Sequence, residues 1–223
     1  MTAFLPVGRC GKLRRFGRAD DGMAMVEFAL ALPMLLGLIF GALEMSNYII
    51  ANNTVQRLAT ASADMLSQTG VDTISTTESQ IYDMFYALDV SAKPLDMRKN
   101  GRIILTVIEG VTSGGVVKND FADDVYSQQF DGGYVAAAPL LGCHSTVSAP
   151  IYGRTLPLGE IMVHAQVSYQ YQPLLPGAQL LSYFSVPKDI TRTAVFRMRK
   201  REFNITNDGK HPAKSKCTSA TGL

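Results

Sequence analysis

Between Met23 and Leu43 the chain holds 21 residues and a single charge, Glu27. About 20 consecutive apolar residues suffice to cross a bilayer as a helix, and a helix satisfies its own backbone groups where no water can reach them. Ala, Leu, Met, Phe and Ile dominate the run. Pro33 lies inside it and lacks an amide donor, which predicts a bend or an opened turn. A chain of 223 residues has room for one such segment plus one ordinary soluble domain, and hardly more.

The charge around this segment is lopsided. Residues 1–22 carry Arg9, Lys12, Arg14, Arg15 and Arg18 against Asp20 and Asp21, whereas the whole chain sums to only +2. A basic block directly before an apolar run keeps the N-terminus in the cytoplasm and sends the remainder across. So small an overall excess argues against nucleic acid as a partner. With this orientation Cys10 is cytoplasmic, while Cys143 and Cys217 share an oxidising exterior. One disulfide between Cys143 and Cys217, worth roughly 3–5 kcal/mol for a long loop, and two unpaired thiols are both compatible with the spacing.

The helical pattern continues past the apolar run. Met45, Tyr48, Asn52, Val55, Ala59, Ser62 and Leu66 recur at three- and four-residue steps, with Ile49, Leu58 and Met65 widening the stripe. Asn47, Asn53, Gln56, Arg57, Thr60 and Asp64 fall mostly on the wetter side. Residues 23–68 thus predict one helical rod about 69 Å long at 1.5 Å per residue, half in lipid and half backing a soluble domain. Gly70 is the expected stop.

Beyond it, Ser75 followed by Glu78 fits a capping box before a short helix over 76–88 that turns Ile81, Met84, Phe85 and Leu88 to one face. "GRIILTVIEG" (101–110) reads as a strand. "EIMVHAQVSYQYQP" (160–173) alternates as a half-buried strand with Ile161, Val163, Ala165, Val167, Tyr169 and Tyr171 on one side. "ITRTAVFRMRK" (190–200) alternates too. The stretches between the first two strands, rich in Gly, Asp and Pro, are expected as loops. The last residues have the composition of a loose tail. The fold class is α+β: a long N-terminal transmembrane and amphipathic helix, then a small antiparallel-sheet domain. Its parts are a basic leader (1–22), a transmembrane helix (23–44), an amphipathic extension (45–70), an outer domain (71–203) and a flexible tail (204–223).

Catalytic motifs are scarce: the chain has no G-x-S-x-G, no G-x-G-x-x-G and no His pair at metal spacing. No cofactor and no small-molecule substrate is expected. His164 belongs to a strand and is expected to face away from its apolar side. Asp120, Asp123, Asp124 and Asp131 crowd one segment, but off the EF-hand spacing, so a solvated acidic loop is preferred to a Ca²⁺ site.

Glu27 is the residue that demands an explanation. A carboxylate inside a membrane helix costs on the order of 2.5–3.5 kcal/mol on insertion scales and calls for a partner. No Lys or Arg lies between Met23 and Arg57 to answer it. Cleavage after Gly22 would create an α-ammonium on Met23, one helical turn from Glu27 and within reach of the Glu27 of a neighbouring copy. An interfacial Glu27 snorkelling to water is the bland alternative.

Gly22, Met23, Glu27 at the fifth position and Phe28 after it, behind a basic leader, resemble a class III (type IV-like) signal. More narrowly, "DDGMAMVEFALALPMLLGLIFGALEMSNYI", with its "VEFAL" core, Pro33 and Glu44, is similar to the N-terminal domain of the TadE family of tight-adherence pilus systems. A weaker similarity covers "VSYQYQPLLPG" and "TRTAVFRMRKR". The resemblance implies a pilin-like plan and an inner-membrane, single-pass pseudopilin cut by a prepilin peptidase between Gly22 and Met23. Glu27 and Phe28 would then serve recognition and assembly, with other pilus subunits and the assembly platform as partners. Two other readings stay open: an uncut anchor that scaffolds the pilus machinery, and a tethered extracytoplasmic enzyme or ligand-binding domain.

Overall fold

A computed structural model describes residues 20–69, 75–121, 127–141, 151–174, 187–199 and 202–215. The chain divides into two compact units, residues 1–45 and 46–223. Helix α1 runs Asp20–Gln68 with Pro33 inside it, so its N-terminal part lies in the first unit and residues 46–68 lie in the second.

The second unit is α+β. After α1 come β1 (Thr76–Thr77), α2 (Glu78–Ser91), the single turn α3 (Met97–Asn100), β2 (Gly101–Ser113), β3 (Val116–Phe121), β4 (Gln128–Asp131), β5 (Ile161–Gln170), β6 (Asp189–Arg197) and β7 (Ile205–Thr206). The main sheet is antiparallel in the order β3-β2-β5-β6, with β4 pairing β2 on the same side as β3. Branched residues meet along its centre, Val107 opposite Val163 and Val163 opposite Phe196; such pairs fit the pleated surface best.

One face of this sheet builds the core. Ile103, Leu105 and Val107 of β2 and Ile161, Val163, Ala165 and Val167 of β5 join Ile81, Phe85 and Leu88 of α2 and Val55, Leu58 and Leu66 of α1. The burial runs along α1 as Ala51, Val55, Leu58, Ala59, Ser62, Ala63 and Leu66, a 3.6-residue stripe in which the alanines allow close approach. The expected stripe is too wide: Met45, Ile49 and Met65 are exposed. Those apolar positions sit at the rim of the buried arc.

Four expectations are corrected. The capping box is Thr77 with Gln80, not Ser75 with Glu78: Thr77 Oγ1 accepts from the Gln80 amide at 3.4 Å and Gln80 Oε1 from the Thr77 amide at 3.1 Å. Thr76 and Thr77 are extended as β1 beside β7, which delays the helix start, and Glu78 is buried within the first turn. The stretch expected as loops between the first two strands contains β3 and β4. Gly114 and Gly115, at φ 63° and 79°, make the two-residue turn that a tight hairpin requires. Polar Lys118, Asn119 and Asp120 hide the alternation. The third correction concerns β5, which is buried on both faces rather than half-buried. Residues 134–141 and 151–156 place hydrogen-bonding groups against its second face and its neighbours.

The last correction is to the tail. Residues 204–215, expected as part of a flexible tail, contribute β7 and the buried Ile205, next to the buried Phe203 at the end of the expected outer domain. Lys214 Nζ reaches Asp131 at 2.6 Å, and the Phe130 amide donates to the Lys214 carbonyl at 3.1 Å. A polar, lysine-rich composition does not prevent ordering when the backbone itself finds partners.

Candidate functional site

The residues singled out by sequence lie on consecutive turns at the start of α1. The helix begins two residues before Gly22, so Gly22, Met23, Glu27 and Phe28 are all within it. Met23 and Glu27 are four apart and therefore share one side, about 6 Å along the axis. Every residue from Gly22 to Ala31 is exposed, with Met23 at 70% and Phe28 at 61%. Glu27 is thus a carboxylate on a helix that is apolar all round, a pattern typical of segments surrounded by lipid or by other helices.

Farther along, Gly37 and Gly41 stand one turn apart, and a Cβ built at either would meet no heavy atom within 4 Å. On a helix of 3.6 residues per turn, Gly41 lies about 40° round from Glu27, on the same side as Met23. Small residues at this spacing let a second helix approach closely. The most apolar part of this helix is not buried within the molecule. It is one helix long and apolar enough to cross a membrane, near the N-terminus.

The other sequence candidates do not gather into a site. Cys143, Cys217, Asp123, Asp124 and His144 lie outside the described residues. Asp131 is committed to Lys214 and Asp120 Oδ1 accepts the Phe121 amide at 2.9 Å. Among the described residues no group of three or more His, Cys, Asp or Glu is placed to hold a metal ion. His164 faces away from the main core, as expected. It is nonetheless 2% exposed, and burial lowers its pKa from 6.5 to about 4. Its ring Nε2 lies 3.4 Å from the Tyr152 hydroxyl.

Two polar constellations escaped the sequence reading. On the second face of the sheet, Arg102 is buried with its guanidinium 5.2 Å from the Phe130 ring centre, and it donates to the Val135 carbonyl at 2.8 Å. Gln166 ties the covering segment down through the Leu140 amide at 2.8 Å and the Ala138 carbonyl at 2.9 Å. Near the start of α2, Ser79 donates to Asp208, and His211 Nδ1 lies 3.2 Å from the same carboxylate oxygen. The Ser79 hydroxyl is the main cause that holds Asp208 well below the usual carboxylate range. Both Ser79 and Asp208 crowd Nδ1 of His211. A nucleophile, base and orienting acid instead need opposite ring nitrogens, so this cluster ties down a chain segment and is not a hydrolytic triad.

Residues 22–64 match the family model described as TadE-like protein. The match spans the exposed apolar stretch, Glu27, the Gly37–Gly41 notch and the first buried turns of the second unit. No curated protein and no solved structure matches the chain. The TadE-like match and the N-terminal apolar helix fit a pilus-assembly membrane protein.

Proposed function

We propose that this chain is a pseudopilin-type component of a tight-adherence pilus system. It is anchored in the inner membrane by α1, cut after Gly22 by a prepilin peptidase, and assembled with other pilus subunits through helix–helix packing. The second unit lies on the periplasmic side. The role is structural rather than catalytic. The observation that carries the reading is Glu27 itself: one exposed carboxylate, one turn after the Gly22–Met23 junction, on an apolar helix within the matched segment. Cleavage supplies a cation for it, and an assembly of such helices neutralises both charges away from water. The Gly37–Gly41 notch on the adjoining side supports close packing of a second helix there.

Mass spectrometry of the membrane-extracted protein, from cells with and without the peptidase, tests the cut. A mature form beginning at Met23 in the first and a full-length form in the second is the expected pair. Gly22→Lys should abolish the difference. Full-length protein in both strains removes the cleavage reading and leaves the uncut anchor. One observation favours that second reading: α1 is already helical across the Gly22–Met23 junction, and a protease must open those turns to reach the bond. Gly22 eases the opening, since glycine weakens a helix by about 1 kcal/mol.

A further inference from the structure

Strand β6 ends the main sheet, and among the described residues no strand lies on its outer side. Two hydrogen bonds show which backbone groups face outward. The Tyr171 amide donates to the Lys188 carbonyl at 2.7 Å, and the Met198 amide to the Ile161 carbonyl at 2.8 Å. Both pairs continue the register of β5 with β6. Even-numbered residues of β6 therefore turn N–H and C=O toward β5. Asp189, Thr191, Thr193, Val195 and Arg197 turn theirs away. Such a row is a template for one more strand.

We propose that the added strand is β6 of a second copy, running antiparallel, with the two-fold axis at Thr193. Facing residues can exchange both hydrogen bonds only when outward-turned positions oppose each other. Centring on Thr193 achieves this along all of β6, because Asp189 and Arg197 lie equally far from it. In this register Asp189 faces the second copy's Arg197, Ile190 faces Phe196, and Thr191 faces Val195, each pair occurring twice. Opposite charges, apolar pairs and β-branched pairs are the combinations that stabilise neighbouring strands. Sliding by two residues puts Arg197 opposite Thr191 and Asp189 opposite Arg199, which lies past the end of β6, so only the register centred on Thr193 keeps both charge pairs within the paired strands.

Local details agree. Arg197 already bridges its own Glu160 at 2.7 Å, and a guanidinium with five donors can serve a second carboxylate. Arg192 falls opposite the small Ala194, and its long stem carries the charge out to water. Tyr152 is 70% exposed, and its hydroxyl sits 2.7 Å from Thr193 Oγ1. Two tyrosines would therefore flank the axis, a residue type that anchors interfaces. The contact is isologous and closes on a dimer. It uses the sheet edge alone and is independent of whether the leader is cut.

The test uses the full chain in membranes, with Cys10, Cys143 and Cys217 replaced by serine. Facing Cα atoms in a hydrogen-bonded pair are about 5.5 Å apart, within disulfide reach. Under mild oxidation Thr193→Cys should give a covalent dimer and Thr191→Cys alone should not. Co-expressed Thr191→Cys and Val195→Cys copies should link again. A second arm keeps the native cysteines: Asp189→Arg should weaken dimerisation in detergent about tenfold by analytical ultracentrifugation, and adding Arg197→Asp should restore it. The proposal is overturned by a monomer at every concentration, by equal cross-linking at 191 and 193, or by Thr193→Cys capturing a different protein and no second copy.

Discussion

Two stretches of α1 make an instructive pair. Met23–Leu43 and Ala51–Leu66 belong to one helix and draw on similar residues, yet the first is exposed nearly all round and the second buries one stripe and wets the other. Propensity does not separate them, since both are good helix formers. The difference lies in what surrounds the side chains. In the first stretch, leucines and methionines point in every direction, a pattern that fits a lipid or multi-helix setting. In the second, Asn53, Gln56, Arg57 and Thr60 remain outside while Ala51, Val55, Leu58 and Leu66 enter a core. Helices gain their stability from burial more than from length, so only the second stretch should govern how firmly its domain holds.

That contrast can be broken by mutation. Leu58→Ala should cost the second unit about 2–5 kcal/mol, read by urea unfolding in detergent followed by circular dichroism. A loss below about 0.5 kcal/mol would mean that the packed stripe is not what supports the fold.

The next effect is acid sensitivity. The folded pKa of His164 is about 4 against 6.5 for an exposed histidine. The unfolded chain therefore takes up a proton first as the pH falls. Stability from this residue is complete above pH 6.5 and drains away down to pH 4, by about 3 kcal/mol. Unfolding midpoints should drop over that window, and His164→Gln should flatten the slope there. An unchanged slope would show that water reaches the second face of the sheet. Thr77→Ala removes the capping hydroxyl of α2 and should cost about 1 kcal/mol in the same assay. The smallest effect belongs to the other half of the comparison: Leu30→Ala, at a position 77% exposed, should change the unfolding of the second unit by less than about 0.5 kcal/mol. A larger change would tie the domain's stability to the apolar stretch.

The candidate residues at the start of α1 are local in sequence: the pairs Gly22–Met23 and Glu27–Phe28 stand about one helical turn apart, and helical periodicity alone places them on α1. Strands β2, β5 and β6 were readable for a similar reason: β2 is rich in branched residues between glycines, and β5 and β6 alternate in their own residues. The hairpin through β3 and the segment around β7 were not. The β3 hairpin is local and is hidden by its polar Lys118, Asn119 and Asp120, whereas the order around β7 comes from groups far away in sequence, such as Asn204 accepting the Thr76 amide at 2.9 Å or Lys214 on Asp131. No window of a dozen residues contains those pairs. The buried second face was invisible too, because Arg102, Gln128, His164 and Gln166 look like solvent-facing residues until other segments cover them.

Hydrophobic period and charge placement by themselves determined a long N-terminal helix, its lipid-suited first half, the position of its single acid and the α+β class of the domain behind it. Those properties depend on each residue and its near neighbours. Tertiary structure alone decided how wide the buried arc of α1 is, that β5 is covered on both faces, that the described part of the C-terminal segment is held in place, and that β6 keeps an outward row of backbone groups. Each of these depends on which distant segment removes water from a given surface.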